Sequence, residues 1–441
     1  MSEIRKYIES HKEEMIEFLG ELIAVKSVQG EAEDGYPFGR EPARALEIML
    51  KKCEESGFTV ENTDNYVGSV SFGGENAKLG ILTHLDVVPE GQGWTSNPYK
   101  LERSEGKLIG RGAIDDKGPA VSVLYALKAI RDLGIPLKEG VQLIFGTNEE
   151  NGSDDLTYYK TKKKLPPCVF TPDGEYPVIN GEKGMLRVYF SADCESITIN
   201  GGDVINAVPK KCSFSVVIPK KDGPSCVFGS TEGRAAHAST PEKGENAITK
   251  AFEEIFEYVK EQKDEELHCP EFIEDLSELF PHNEFDGKSC GLGFSDEISG
   301  SMTCVLTMLN SDENGVIHGG IDIRFPLDRK KKEISEIICG KLEKIGCKIE
   351  SCEGVEPHIT DENSEFVQSL LKVYTKVTGD EGCCISIGGG TYVHEIEGGV
   401  AFGAEFPGEE NNMHGADEFI TEENLLKNAE IIAEAIIEIC G

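Results

Sequence analysis

Four short segments place metal-ligand residue types directly after apolar runs. The first is Ile81-Leu82-Thr83-His84-Leu85-Asp86-Val87-Val88-Pro89, in which His84 and Asp86 are two apart. In an extended strand that spacing points both side chains the same way, so an acid can fix the second ring nitrogen of a metal-bound histidine. The second is Gly110-Arg111-Gly112-Ala113-Ile114-Asp115-Asp116-Lys117-Gly118, whose glycines permit a tight turn before a helix. The third, Thr147-Asn148-Glu149-Glu150, and the fourth, Thr171-Pro172-Asp173-Gly174-Glu175, each close a strand-like run. Taken singly, such an acid is usually a helix cap or turn residue, and a lone histidine after a strand usually a packing residue. Repetition at successive strand ends, where α/β enzymes put their chemistry, raises the metal reading. His, Asp and Glu together suit two divalent cations bridged by one carboxylate. Such a pair lowers the pKa of a shared water and stabilises a tetrahedral intermediate. The residues point to a co-catalytic metallohydrolase, provided that the four strand ends meet.

The elements that must position these residues alternate. Strand-like runs at Lys78 to Thr83, Val141 to Thr147 and Cys168 to Thr171 enclose a helical run from Pro119 to Leu133, the pattern of a mostly parallel sheet covered by helices. From about Gly184 the texture changes to antiparallel strands, Met185 to Phe190, Cys212 to Ile218, Met302 to Leu309 and Val316 to Phe325. Helical stretches near Asn246 to Gln262 and Arg329 to Ile345 interrupt them, and after Glu356 the chain returns to helix, strand and helix at Glu365 to Thr378, Val400 to Ala404 and Glu422 to Ile439. The expected fold class is α/β, with residues 1–182 and 356–441 forming a catalytic di-metal domain and residues 183–355 an inserted α+β domain.

Composition excludes whole classes of partner. The 441 residues carry 44 Lys+Arg against 80 Asp+Glu, a formal charge of −36. Such a chain repels nucleic-acid phosphates and anionic lipid, and the basic runs Lys160 to Lys164 and Lys330 to Lys332 are too short to reverse that. The first 25 residues read as one amphipathic helix rather than a signal peptide, and no apolar run reaches the ~18 residues of a membrane span. The 14 cysteines are scattered without a CxxC pair, which fits reduced thiols and a cytoplasmic location.

At these residues the chain resembles the M20 metallopeptidase family, and within it the PepV-type dipeptidases. The narrower likeness rests on His237-Ala238-Ser239-Thr240-Pro241-Glu242-Lys243-Gly244, Ile387-Gly388-Gly389-Gly390-Thr391-Tyr392, Val400-Ala401-Phe402-Gly403 and Asn412-Met413-His414. The resemblance implies that His84, Asp115 and Asp173 hold one metal ion and that Asp115, Glu150 and His414 hold the other, with Asp115 bridging. It makes Glu149 the general base, which moves a proton from a metal-bridging water to the leaving amine, and Asp86 the acid that orients His84. It also implies a cis peptide bond between Asp115 and Asp116.

In the same resemblance the inserted domain is a lid. There His237 stabilises the oxyanion, Asn206 contacts substrate, Arg324 grips the substrate carboxylate, and Gly388, Gly389, Gly390 and Thr391 approach the substrate through the backbone. A strand salt bridge is the alternative for Arg324, and a turn role the alternative for Asn206. The ions expected are zinc first, with manganese or cobalt as alternatives. A lid of roughly 170 residues suggests a monomer with a closed dipeptide pocket, by likeness to family members whose enlarged lid replaces a partner's. N-acyl amino acid deacylases of the same family and a non-catalytic peptide binder are the competing readings. His11, His268, His282, His318, His358 and His394 match no ligand position; Trp94, Glu175, Glu405 and Glu409 lie near matched segments without a role.

Overall fold

A computed structural model of the chain describes residues 2–74, 76–218, 225–261 and 268–441. It divides into two units. The first comprises Met1–Asn180, Ile359–Ile385 and Gly390–Gly441, and the second Gly181–His358 with Ser386–Gly389. The sequence-based limits of 183 and 355 fall just inside the second unit's main segment. The return of 386–389 to that unit has no counterpart in the hydrophobic pattern, because it depends on long-range bonds such as Lys183 N–H to the Ile387 carbonyl.

The first unit is built on a mixed, mostly parallel sheet. Its strands include β1 (Thr59–Thr63), β2 (Val67–Phe72), β3 (Ala77–His84), β4 (Gly140–Gly146), β5 (Cys168–Thr171) and β6 (Val400–Ala401), in spatial order β1-β2-β4-β3-β5-β6. β3 runs parallel to both β4 and β5, and β6 parallel to β5, while β1 and β2 form an antiparallel hairpin at one side. The register pairs His84 with Gly146 and Thr171 with Ala401, so ligand-bearing strands finish at one edge of the sheet. β1 and β2 escaped the sequence pattern because β1, Thr-Val-Glu-Asn-Thr, is polar and largely exposed. The expected strand Val400 to Ala404 stops at Ala401, and Gly403 beyond it adopts φ 89°.

The helices of this unit are α1 (Glu3–Ser10), α2 (Lys12–Ile23), α3 (Arg40–Glu55), α4 (Lys117–Asp132), α5 (Asp154–Lys162), α6 (Glu365–Thr378) and α7 (Glu422–Cys440). The single N-terminal helix of the sequence reading is two. His11 separates them at φ −106°, ψ 8°. Its ring Nδ1 lies 2.8 Å from the Tyr7 carbonyl, the acceptor that its own N–H would take in a continuous helix, and its ring stacks on Tyr7 at 4.0 Å. Met1 lies outside the described residues. α4 follows the Asp115-Asp116 turn and is buried along nearly its whole length, packed between the sheet and the helices α2 and α7. A helix with no water-facing side must be apolar around its circumference, and Val121, Val123, Leu124, Leu127 and Ile130 meet that requirement.

The second unit is a seven-stranded antiparallel sheet in the order Ser225–Glu232, Lys211–Ile218, Ile197–Gly201, Thr303–Ser311, Val316–Phe325, Gly184–Asp193 and Lys348–Val355. Alternate residues Leu186, Val188 and Phe190 join Ile321, Ile323, Phe252, Ile255, Ile334 and Ile338 in its core. The last three pairs come from a central strand and from the helices Ala247–Glu261 and Lys331–Lys344. Gln262, the expected end of the first of these helices, lies outside the described residues. Among the described residues no helix is long and apolar enough to cross a membrane.

The entry to α4 generates a test. A Cβ on Gly118 would sit 2.1 Å from the Ala113 carbonyl oxygen, a backbone atom that cannot rotate away. Gly118→Ala is expected to cost about 1–3 kcal/mol, read as a lower urea midpoint of unfolding at unchanged slope.

Candidate metal centre

The parallel strands of the first unit deliver the predicted ligands to one place. His84 is the last residue of β3, Asp173 follows β5, Glu149 and Glu150 open the 3-10 turn Glu149–Asn151 after β4, and Asp115 lies in the turn before α4. His414 comes from the loop before α7, with φ 59°. The two oxygens of Asp115 face the two histidines: Oδ1 is 2.9 Å from His84 Nε2 and Oδ2 is 2.7 Å from His414 Nε2. Asp173 Oδ2 lies 3.6 Å from His84 Nε2, and Glu150 Oε2 lies 3.3 Å from His414 Nε2. Among the described residues, potential ligand atoms cluster within 4.8 Å of one another in two sets, His84 with Glu149 and Asp173, and His84 with Asp115 and Glu150. Proximity therefore puts Glu149 beside His84 and Asp173, where the resemblance puts Asp115, and does not by itself separate a base from a ligand.

The donor set fits divalent cations. His84 Nδ1 is 3.0 Å from the Asp86 carbonyl oxygen, which turns Nε2 toward the carboxylates; burial opposes protonation of the ring, but Asp115 and Asp173 outweigh it and raise it well above the usual histidine range. Glu150 Oε1, a buried atom, has no hydrogen-bond partner. Such an arrangement calls for positive charge among the oxygens. The electrostatics agree: burial and then Asp173 drive Glu149 well above the usual carboxylate range, and burial with Asp115 pushes Glu150 up to about 7. Burial and Asp115 likewise raise Asp173. Burial opposes protonation of His414, yet Asp115 and Glu150 lift it to about 11. Burial opposes ionisation of Asp115, but His414 and His84 outweigh it and hold the carboxyl well below its usual range. A cation supplies to all these groups the positive charge that only the imidazoles now offer.

Several supporting groups were not assigned from sequence. Asp86 has a second task, because its Oδ1 accepts the Glu149 N–H at 3.1 Å and its Oδ2 the Glu150 N–H at 3.2 Å. Asp155 Oδ2 accepts the preceding N–H groups of Thr147 and Asn148 at 2.6 and 3.0 Å, and the Tyr392 hydroxyl at 2.5 Å. The backbone that presents Glu149 and Glu150 is thus clamped by two buried carboxylates. Asp116, joined to Asp115 by a cis peptide bond, accepts the His84 N–H at 3.0 Å. Asp116 carried a signal in its adjacency to Asp115; Asp155 and Tyr392 carried none, because their partners are main-chain atoms and each other. Trp94 donates to the Glu90 carbonyl at 2.6 Å.

The other predicted residues divide between the units. In the second, Asn206 and His237 are neighbours: Ala238 N–H donates to the Asn206 carbonyl at 2.9 Å, and His237 bridges to Ala207. His237 Nδ1 lies 2.6 Å from the Ser239 hydroxyl and 3.3 Å from the Ser239 N–H. Arg324 forms the strand salt bridge that was its alternative reading, with Nε 2.6 Å from Asp322 Oδ1 and Nη2 3.0 Å from Oδ2. Its Nη1 donates to the Gly388 carbonyl at 3.0 Å. A Cβ on Gly388 would lie 2.9 Å from Ser239 Cβ, so the backbone there passes close to the His237 segment. Gly389 belongs to this unit, whereas Gly390 and Thr391 belong to the first. There Thr391 caps the 3-10 turn Tyr392–Glu395, its hydroxyl accepting from Val393 N–H at 3.3 Å.

The carboxylate clamp generates a test. Asp155→Ala strands buried N–H groups, at ~1–3 kcal/mol each, whereas Tyr392→Phe removes one donor and costs about 1 kcal/mol. Urea unfolding is expected to rank Asp155→Ala as the more damaging substitution.

Comparison with known proteins agrees with this geometry. Residues 80–438 match Peptidase family M20/M25/M40. The chain is 32% identical over 470 aligned positions to the Beta-Ala-Xaa dipeptidase of Lactobacillus delbrueckii subsp. lactis, covering 99% of this chain and 98% of that protein. The fold is similar to that of human carnosine dipeptidase 1, with TM-score 0.64 at 17% identity, over 99% of each chain. It is also similar to that of the Bacillus subtilis YXEP protein, described as a dinuclear metal-binding peptidase, with TM-score 0.55 at 12% identity, over 98% of this chain and 99% of that one. The family match takes in every ligand of the cluster, and the chain belongs to peptidase family M20/M25/M40.

Proposed function

We propose that the protein is a metal-dependent dipeptidase that hydrolyses the peptide bond of small dipeptides. The observation that carries this reading is Asp115, whose two oxygens face His84 and His414 with Glu149 beside them. The full-length similarity to a Beta-Ala-Xaa dipeptidase supports the substrate class. His84, Asp115 and Asp173 hold one divalent ion and Asp115, Glu150 and His414 the other. When bound, the pair supplies Lewis acidity and a lowered water pKa at neutral pH. Zinc is the first expectation, with manganese or cobalt as alternatives.

The chain's own residues do the remaining work. Glu149, held by the Asp86 clamp on its N–H, takes a proton from the attacking water and delivers it to the leaving amine. Its surroundings raise the carboxyl, which favours uptake of the water proton, and that proton passes to the amine nitrogen as the C–N bond breaks. Asp86 anchors His84 through its carbonyl. In this reading the second unit is the lid, and His237 donates to the developing oxyanion. Asn206 contacts substrate, and Arg324, oriented by Asp322, recognises the substrate carboxylate. Gly389, Gly390 and Thr391 present backbone to it. The large second unit, by the likeness drawn above, makes a monomer the expected oligomeric state, measured by light scattering.

Metal-loaded protein is expected to hydrolyse members of a dipeptide panel and to leave N-acetyl amino acids intact. Release only from the N-acetyl compounds would establish a deacylase instead, and no turnover of either with metal bound would favour a peptide binder. Chelation should abolish turnover, and re-addition of single metals should restore it. Glu149→Gln should lower kcat by ~10²–10⁴ while retaining bound metal. Unchanged turnover in that variant would remove Glu149 from its assigned role.

A further inference from the structure

We propose that the buried Arg111–Glu418 pair is a positioning device for the His414 side of the metal centre. Neither side chain has a catalytic or ligand role in the reading above, and both are almost wholly removed from water, with exposures of 1% and 0%. Arg111 Nη1 donates to Glu418 Oε2. The other oxygen, Oε1, accepts the main-chain N–H groups of Ile114 at 3.1 Å and Asp115 at 3.3 Å. Arg111 Nη2 reaches the carbonyl oxygens of His414 at 3.2 Å and Gly415 at 3.1 Å, with those of Pro89 and Glu90 at 3.4 Å. One ion pair therefore joins the backbone of the bridging carboxylate to the backbone of the histidine that faces its Oδ2.

The join matters because of His414's conformation. A φ of 59° is uncommon for a residue with a side chain and persists where the surroundings enforce it. Arg111 supplies that enforcement from beneath, and the Trp94 ring, 5.3 Å from the guanidinium carbon, covers it. His84 and Asp173 are placed differently, at and just after the ends of hydrogen-bonded strands. Loss of the fork should therefore weaken one ion and spare the other. A lysine keeps the charge opposite Glu418 but cannot make the planar fork.

The proposal rests on the two-ion reading, and the test separates the two. Chelator-treated full-length protein is titrated with Zn²⁺ in a calorimeter, with His414→Ala as the reference that identifies the affected site. Arg111→Lys is expected to weaken that same site at least tenfold and to leave the other site within about threefold, with the unloaded protein still folded by circular dichroism. Glu418→Gln, which keeps an oxygen for the Ile114 and Asp115 N–H groups, carries the same expectation should Arg111→Lys not fold. A folded variant in which both sites weaken alike, or neither does, overturns the proposal. So does failure of both variants to fold, which would make the pair a stability element alone. A wild-type chain that takes up fewer than two ions overturns the two-ion reading itself, and the proposal with it.

Discussion

The constraint on which the first unit depends is the crowding of four carboxylates, buried Asp115 and half-buried Glu149, Glu150 and Asp173, against two imidazoles. Like charges so close, away from water, raise one another's pKa unless positive charge or hydrogen-bond donors answer them. The raised carboxyls of Glu149, Glu150 and Asp173 record that unmet demand, and the raised imidazole of His414 its partial answer. A site of this kind is poor at holding itself together and well suited to holding cations.

Its geometry is therefore secured from behind, by main-chain bonds. Asp86, Asp155, Asp116 and Glu418 are all buried, and each accepts a backbone N–H next to or within a ligand segment. Acids in this ring satisfy N–H groups that the strand ends leave without ladder partners. The parallel sheet supplies the frame: β3, β4 and β5 finish together because their register is shared, so three ligand segments leave the same edge.

Much of this was legible in the sequence. His84, Asp115, Glu149, Glu150 and Asp173 each follow an apolar run or a glycine turn, patterns set by local backbone preference. The change from alternating helices and strands to consecutive strands near Gly184 reflects a real change of sheet type. His414 was different: it lies in an irregular loop, and only likeness to known sequences singled it out. Short polar β1, the break at His11 and the end of β6 at Ala401 were hidden because each is decided by particular side-chain or backbone contacts rather than by periodicity.

By itself, then, the sequence determined the inventory and the order: which residues can ligate, that they stand at element ends, and that the chain carries a formal charge of −36. Tertiary structure decided the pairings. Asp115 could face two histidines only once β3, the α4 turn and the loop before α7 met. Arg324 read in sequence as a substrate residue with a strand salt bridge as its alternative, and the fold set it beside Asp322. Arg111 found Glu418 across 307 residues of chain. Local pattern encodes backbone conformation and burial, which act over a few residues. The encounter of distant charges depends on how whole elements pack, and no short stretch of sequence carries that information.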